Sequence, residues 1–420
     1  MASKNRSRTK IQGTLGDELK SRRIGLCITG SVAVVKSPEI ARELIRHGAD
    51  VISVMSDEAQ NLIQPELMRW ATQNDVIISI TGRMEHVRLT EEGPERLDLI
   101  LIAPATANTL SKIATGVSDT TVTLLASCAL GSNIPIVVAP SMHGSLWSNP
   151  AVESNLDRLK KLGVDILEPL VEEGKAKITP TEDIVEAVIR RLHVKDMAGL
   201  KVLVTAGPTY EHLDPIRMLT NRSSGKMGFA LAKEALRRGA EVTLVSGPTS
   251  LSPPSSIDFT PIETTRQLYD TVVSKLKEER YDLFLAAAAP EDFRPVKPSA
   301  EKMSSRIAQP LDLKFEATEK VIDSVKKIQR DIFLVSFKAE WGLNRDDMIK
   351  RAKVIIQEAD ADMVAVNDAA QKGAGFEADT NQILLVKKDG STIDIPLALK
   401  EVVARRILDT FLKVTRKHSQ

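Results

Sequence analysis

Cysteine is close to absent, with Cys27 and Cys128 the only two in 420 residues. They stand far apart, one in an expected strand and one in an expected helix, so neither a disulfide framework nor a thiolate metal site is indicated. A reducing compartment is the simplest reading. An excess of one charge is also missing, because 57 basic against 56 acidic residues leave a formal charge of +1. Nucleic acid and anionic membrane are therefore poor candidates as main partners, and small molecules are expected instead. No apolar run approaches the ~20 residues of a membrane span, and the opening residues lack the apolar core of a signal peptide. A cytoplasmic protein is expected. Two familiar nucleotide fingerprints are missing too. No GxGxxG opens a strand-turn-helix unit, and the second strands end at Ser56 and Gly247 rather than on a ribose-binding acid, which counts against a tandem nicotinamide dehydrogenase. In the stretch TAGPTYEHLDPIRMLTNRSSGKMG, residues 205–228, Thr220 and Met227 stand where a P-loop needs Gly and Ser or Thr.

What is present is a repeated design. A chain of this length with 42% apolar residues can build two or three full cores, and two domains are the first expectation. The opening 23 residues are basic and polar and read as a solvated tail. From residue 24, IGLCITG leads into the helical SPEIARELIRHG and the strand DVISVMS; later KVLVTAG, the long loop, KMGFALAKEALRRG and EVTLVSG repeat that order. Both helices end on a basic residue and glycine, as a C-cap requires. Each half then reads as an α/β unit whose parallel sheet offers a ligand edge at its strand C-termini. LDLILIAPATANTLSKIATG and NIPIVVAPSMHGSLWSNPAV add two strands running into small-residue loops. In the second half, YDLFLAAAAPEDFRPV, DIFLVSFKAE and ADMVAVNDAA add apolar strands ending in polar residues, and QILLVKKDGSTIDIPL reads as a hairpin. The boundary is expected near residue 196, giving a tail over 1–23 and domains over 24–196 and 197–420.

The long loop between a strand and a helix, with hydroxyls, glycines and a lysine, suits an anion held by free N–H groups. Together with AAAAPEDFRPV, AEKM, SFKAE and VNDAA it resembles phosphopantothenate–cysteine ligases. The first half, with ITGSVAVVKSPEIA, MEHVRL, APATANTLSKIATG and APSMHGSLW, resembles flavin-dependent phosphopantothenoylcysteine decarboxylases. Their order resembles the bifunctional enzymes of coenzyme A synthesis, in several variants the archaeal ones. The resemblance implies two Rossmann-like α/β domains: a flavodoxin-like flavoprotein domain, then a parallel-sheet nucleotide-binding ligase domain.

For the ligase, the resemblance implies that the carboxylate of 4′-phosphopantothenate attacks the α-phosphate of CTP, giving an acyl-cytidylate that the amine of cysteine opens. Asn221 matches the family's asparagine on that intermediate, although a bare asparagine there also reads as a helix N-cap. Ser223, Ser224 and Gly225 would take phosphate oxygens. Ala287, Ala288, Asp292, Lys302 and Phe337 match nucleotide-binding positions, and Mg²⁺ is expected with the triphosphate, with no metal ligand identified. One departure bears on nucleotide choice: two lysines of many members fall here on Ile355 and Ala359, with Lys338, Lys350 or Lys353 available to compensate.

For the decarboxylase, the resemblance implies FMN, which oxidises the thiol so that a C=S group accepts the electrons as CO₂ leaves, and then returns them. His86 matches the active-site histidine and suits proton transfer near neutral pH. Gly30, Ser31, Ser56, Thr106, Asn108 and Thr109 fall at the FMN edge, while Thr106 also reads as a helix cap. Met142 and His143 stand at the substrate carboxylate, where the family often has Met-Asn. The lid segment LEPLVEEGKAKI lacks the proton-donating cysteine of many members, leaving Glu172, Glu173, Lys175 or solvent. The resemblance further implies flavin sites between subunits of a trimer and paired ligase halves, which a dodecamer would satisfy. The alternative from another class is a flavin-binding regulatory subunit without full activity.

Overall fold

The computed structural model describes residues 8–254, 257–303 and 313–418. The chain divides into two compact units, Met1–His193 and Val194–Gln420.

In the first unit the apolar runs become β1 Arg23–Ile28, β2 Asp50–Met55, β3 Leu99–Ala105, β4 Ile136–Pro140 and β5 Asp165–Ile166. All pair in parallel, in the order β2-β1-β3-β4-β5. Such strands are buried on both faces, which is why they read as continuous apolar runs rather than alternating ones. Leu26 and Ile28 pack with Leu44, Ile184 and Val188 on one face, while Cys27, Ile100 and Ile102 pack with Leu110 and Leu125 on the other. The order reverses between β1 and β3, and at that switch point a flavodoxin-like sheet opens a crevice beyond its strand ends.

The opening segment departs from the expected tail over 1–23. Leu19 is fully buried in the core and Ile11 packs beside it. The side chain of Gln12 donates to Gly48 O at 3.0 Å, and Glu18 Oε2 lies 2.9 Å from His47 Nδ1. These contacts, with the N–H groups of Gly13, Leu15 and Leu19 donating to Ile45, Arg46 and His47, dock this segment on the end of helix Ser37–Arg46. Residues 1–7 lie outside the described residues.

The second unit holds β6 Lys201–Ala206, β7 Glu241–Ser246, β8 Asp258–Pro261, β9 Leu283–Ala286, β10 Phe333–Glu340, β11 Met363–Asp368, β12 Thr380–Lys387 and β13 Thr392–Leu399. Their order is β8-β7-β6-β9-β10-β11-β12-β13. The first six are parallel in the Rossmann order, with the switch point between β6 and β9. The expected hairpin, β12 with β13, adds two antiparallel strands at one edge. Helix Lys226–Arg237 lies against β6 at Gly228, where a Cβ would come within 2.5 Å of the Ala206 side chain. Helix Lys400–His418 covers it, burying Val403, Ile407 and Phe411 in the same core. A buried ion cluster fixes the pair, with Arg238 on Glu234 at 3.0 Å and on Asp409 at 2.5 Å, and Arg237 on Glu401 at 3.3 Å. No helix among the described residues is long and apolar enough to cross a membrane.

Candidate active site

In the first unit the loops after β1 to β4 share the carboxyl edge of the sheet. Ser31 Oγ accepts from Ala33 N and lies 3.0 Å from Ser141 Oγ, tying the β1 loop to the β4 loop. Ser56 caps the short helix Asp57–Gln60 through Ala59 N at 3.3 Å. Thr106 caps helix Ala107–Thr115 by accepting from Thr109 N at 3.3 Å, and its hydroxyl donates to Thr109 Oγ1 at 3.1 Å. Its own N–H donates to Thr29 Oγ1, which donates in turn to Pro104 O. The structure thus gathers Gly30, Ser31, Ser56, Thr106 and Thr109 at one edge, with Asn108 exposed on the first turn of its helix. Hydroxyl donors and helix N-termini at a flavodoxin-like switch point are a donor set that fits a flavin phosphate and ring edge.

Met142 and His143 form one strand of a small antiparallel sheet with Lys175–Lys177 and Leu170–Glu172. The cysteine-free lid is therefore a two-residue hairpin, turning at Glu173 and Gly174 with φ of 51° and 69°, and His143 pairs with Lys175 across it. Lys177 holds Glu172 at 3.0 Å and Glu173 at 3.2 Å, so both carboxylates offered as lid acids are already paired. His86 sits on helix Glu85–Thr90 with its Nδ1 buried and without a hydrogen-bond partner. No hydrogen bond among the described residues joins it to the hydroxyl loops. Its neighbour Glu85 fixes the helix start: the hydroxyl and N–H of Thr81 lower its carboxyl to about 2 despite burial. Cys27, within β1 of the parallel sheet, is fully buried, its thiol pushed up to about 12 by desolvation.

In the second unit a cavity of about 520 Å³ opens at the carboxyl edge. It is lined by Asn221, Ser223, Ser224 and Gly225, by Ala287, Ala288 and Asp292, and by Phe337. Helix Lys226–Arg237 begins here with Gly225 at its N-cap, at φ +77°, and no side chain caps it. Its first N–H groups and the positive end of its dipole therefore face the cavity. Asn221 is not the N-cap; its amide donates to Ala289 O at 3.2 Å and Pro290 O at 3.1 Å, fixing it to the loop after β9. Asp292 is paired with Lys320, which also lines the cavity. Lys302 is exposed and does not line it. Of the three compensating lysines, Lys338 lines the cavity, whereas Lys350 is bound to Asp347 and Lys353 is exposed outside it. Ile355 and Ala359 do line it, so the two departures lie at the site itself.

Sequence reasoning passed over Asp214 and Arg217. Asp214 is buried, which raises its carboxyl, yet the N–H groups of Ile216, Arg217 and Met303 outweigh this and hold it well below the usual range. Arg217 donates to Asp214 at 2.6 Å and to Met303 O at 2.9 Å, clamping the AEKM segment onto the long loop. An Asp-Pro pair opening a turn was the available signal.

Residues 12–193 match the model of the Flavoprotein family. Residues 197–414 match that of the DNA/pantothenate metabolism flavoprotein C-terminal domain. A Coenzyme A biosynthesis bifunctional protein CoaBC from Thermococcus kodakarensis is 44% identical over 405 residues, covering 96% of this chain and 98% of that protein. This chain belongs to the CoaBC family. Members from Methanocaldococcus jannaschii and Bacillus subtilis are 32% and 30% identical, covering 97% and 95% of this chain and 97% and 98% of theirs. As a CoaBC protein it is a bifunctional enzyme of coenzyme A biosynthesis, with phosphopantothenoylcysteine decarboxylase and phosphopantothenate–cysteine ligase activities. The alternative of a flavin-binding regulatory subunit without full activity is not favoured, because both family models match in order along the chain.

Proposed function

We propose that residues 197–420 use CTP to join 4′-phosphopantothenate to cysteine, and that residues 24–196 decarboxylate the product with FMN. The observation that carries the ligase reading is Asn221 fixed beside an uncapped helix N-terminus in one cavity. A carboxylate oxygen of 4′-phosphopantothenate attacks the α-phosphorus, and the bond to pyrophosphate breaks. Ser223, Ser224 and the N–H groups after Gly225 hold phosphate oxygens as charge develops on them. Asn221 steadies the acyl-cytidylate. The amine of cysteine then attacks the acyl carbon, CMP leaves, and the amine loses a proton. Phe337 packs beside the base, and Asp292, exposed at the cavity edge, binds the nucleotide. No group of three His, Cys, Asp or Glu gathers among the described residues, so Mg²⁺ would travel with the triphosphate, held by its oxygens.

In the first unit, Ser31, Ser56, Thr106 and Thr109 would hold FMN at the switch point. When bound, FMN supplies the reversible oxidation of the thiol that lets CO₂ depart. His86 moves the proton, acting in a site completed by a neighbouring subunit; its buried, unpartnered Nδ1 supports a site that one chain leaves incomplete. Met142 and His143 receive the substrate carboxylate under the Leu170–Lys177 hairpin. The enzyme works in the cytoplasm as trimers of decarboxylase units joined through paired ligase units.

The test is mass spectrometry of products from the purified protein with FMN, Mg²⁺, 4′-phosphopantothenate, cysteine and either CTP or ATP. Formation of 4′-phosphopantetheine with CTP is the expected result. Accumulation of phosphopantothenoylcysteine or its ene-thiol would mean that the cysteine-free lid does not complete the reaction. Equal or better turnover with ATP would overturn the assignment of CTP.

A further inference from the structure

The ligase cavity holds a cation that no motif pointed to. Lys400 opens helix Lys400–His418, is only 6% exposed, and lines the cavity with Ser224, Gly225 and Lys226. Its Nζ donates to Phe376 O at 3.1 Å, and Ser224 Oγ donates to that same oxygen at 2.6 Å. Ammonium and hydroxyl therefore converge on one atom at the cavity wall. A buried ammonium ordinarily has a carboxylate against it, because desolvating an unpaired charge is costly. Here the nearby carboxylate, Asp379, is taken by Lys226 at 2.5 Å, and Lys226 is itself a second cation. Burial first, and then repulsion from Lys226, push the Lys400 ammonium down to about 8. Helix Lys226–Arg237 directs its positive end to the same place. Burial, the Lys226 charge and the helix dipole disfavour a cation at this wall, against the Phe376 carbonyl and Asp379, which favour it, and an anion in the cavity would reverse that balance.

We propose that Lys400 binds a phosphoryl group of a ligase substrate, together with Ser224 and the N-terminus of helix Lys226–Arg237, supplying a cationic contact that Ile355 and Ala359 do not. This rests on the ligase reading above. Two sources share the chemistry: the terminal phosphates of the nucleotide and the 4′-phosphate of phosphopantothenate. The ion cluster of Arg238, Glu234 and Asp409 fixes the helix that carries Lys400, so the ammonium is held in place before substrate arrives.

The full-length protein, Lys400→Met and Lys400→Arg are compared by steady-state kinetics, with CTP and phosphopantothenate varied in turn to give a KM for each, and by inhibition with inorganic pyrophosphate. Decarboxylation of phosphopantothenoylcysteine in the same preparations reports folding of the other half. Lys400→Met is expected to raise one of the two KM values, by on the order of 10- to 100-fold, with kcat changed less and most of the loss recovered by Arg. A rise for CTP with a matching loss of pyrophosphate inhibition assigns the nucleotide; a rise for phosphopantothenate alone assigns the other phosphate. Both KM values and pyrophosphate inhibition staying within about twofold of wild type would overturn the proposal. If Lys400→Met does not fold, amine acetylation of wild type followed by peptide mass spectrometry decides. Protection of Lys400 by pyrophosphate or phosphopantothenate supports it, and protection by neither overturns it. If wild type releases no pyrophosphate from any nucleoside triphosphate, the ligase reading falls and this assignment with it; normal wild-type turnover with indifferent variants removes Lys400 alone.

Discussion

The two halves begin with the same strand-turn-helix-strand design, yet among the described residues the second gathers its expected loops around one cavity, whereas the first lines them along an edge. In the ligase unit, the β6 loop, the β9 loop and the returning helix Lys400–His418 meet around a cavity, and the expected Asn221, Ser223, Ser224, Asp292 and Phe337 all line it. In the decarboxylase unit the hydroxyl loops share an edge, but His86 stands on another helix, and no hydrogen bond among the described residues joins it to them. A strand-to-helix turn supplies donors wherever it occurs. What closes over the turn decides which ligand those donors serve.

Separating the activities is the strongest way to sharpen this contrast. His86→Gln should lower decarboxylation by ~10²–10⁴-fold while leaving the ligase unchanged, measured with phosphopantothenoylcysteine supplied directly. Asn221→Ala, which also leaves two carbonyls without their donor, should cost the ligase ~10²–10³-fold and spare decarboxylation. Loss of both activities in either variant would break the comparison.

Smaller effects test the geometry. Gly225→Ala places a side chain at positive φ and within 2.6 Å of Thr249 Cγ2. It should destabilise the ligase unit by about 1–3 kcal/mol, read as an earlier unfolding step with decarboxylation retained. Pyrophosphate affinity should fall as pH rises through about 8, since Lys400 is a cation below that value and neutral above it. The charged groups facing it are Lys226 and Asp379, the latter a carboxylate throughout, and calorimetry of Lys400→Met should show that limb flattened. The smallest expected effect is at cysteine. With its thiol raised to about 12, Cys27 has almost no thiolate near neutral pH, so Cys27→Ser should change decarboxylase kcat by less than about twofold.

Periodicity and loop composition were enough to read both α/β units and the edge at which their ligands bind, because side-chain burial imposes that pattern locally. The long loop, PATANT and AAAAPED could be read as ligand loops for the same reason. The opening segment could not, since Leu19 looks like any lone apolar residue until the end of helix Ser37–Arg46 covers it. Asn221 was legible as a residue of the ligand-edge loop, but its alternative role as an N-cap was removed only when the helix began at Lys226.

By itself the sequence determined the order of the elements, the parallel strands of the two sheets with the closing hairpin, and the chemical character of each edge, all set by near-neighbour patterns of burial and turn chemistry. Tertiary structure alone decided which distant residues share an atom. Ser224 and Lys400 lie 176 positions apart and meet at Phe376 O only because an antiparallel hairpin returns the last helix to the start of Lys226–Arg237.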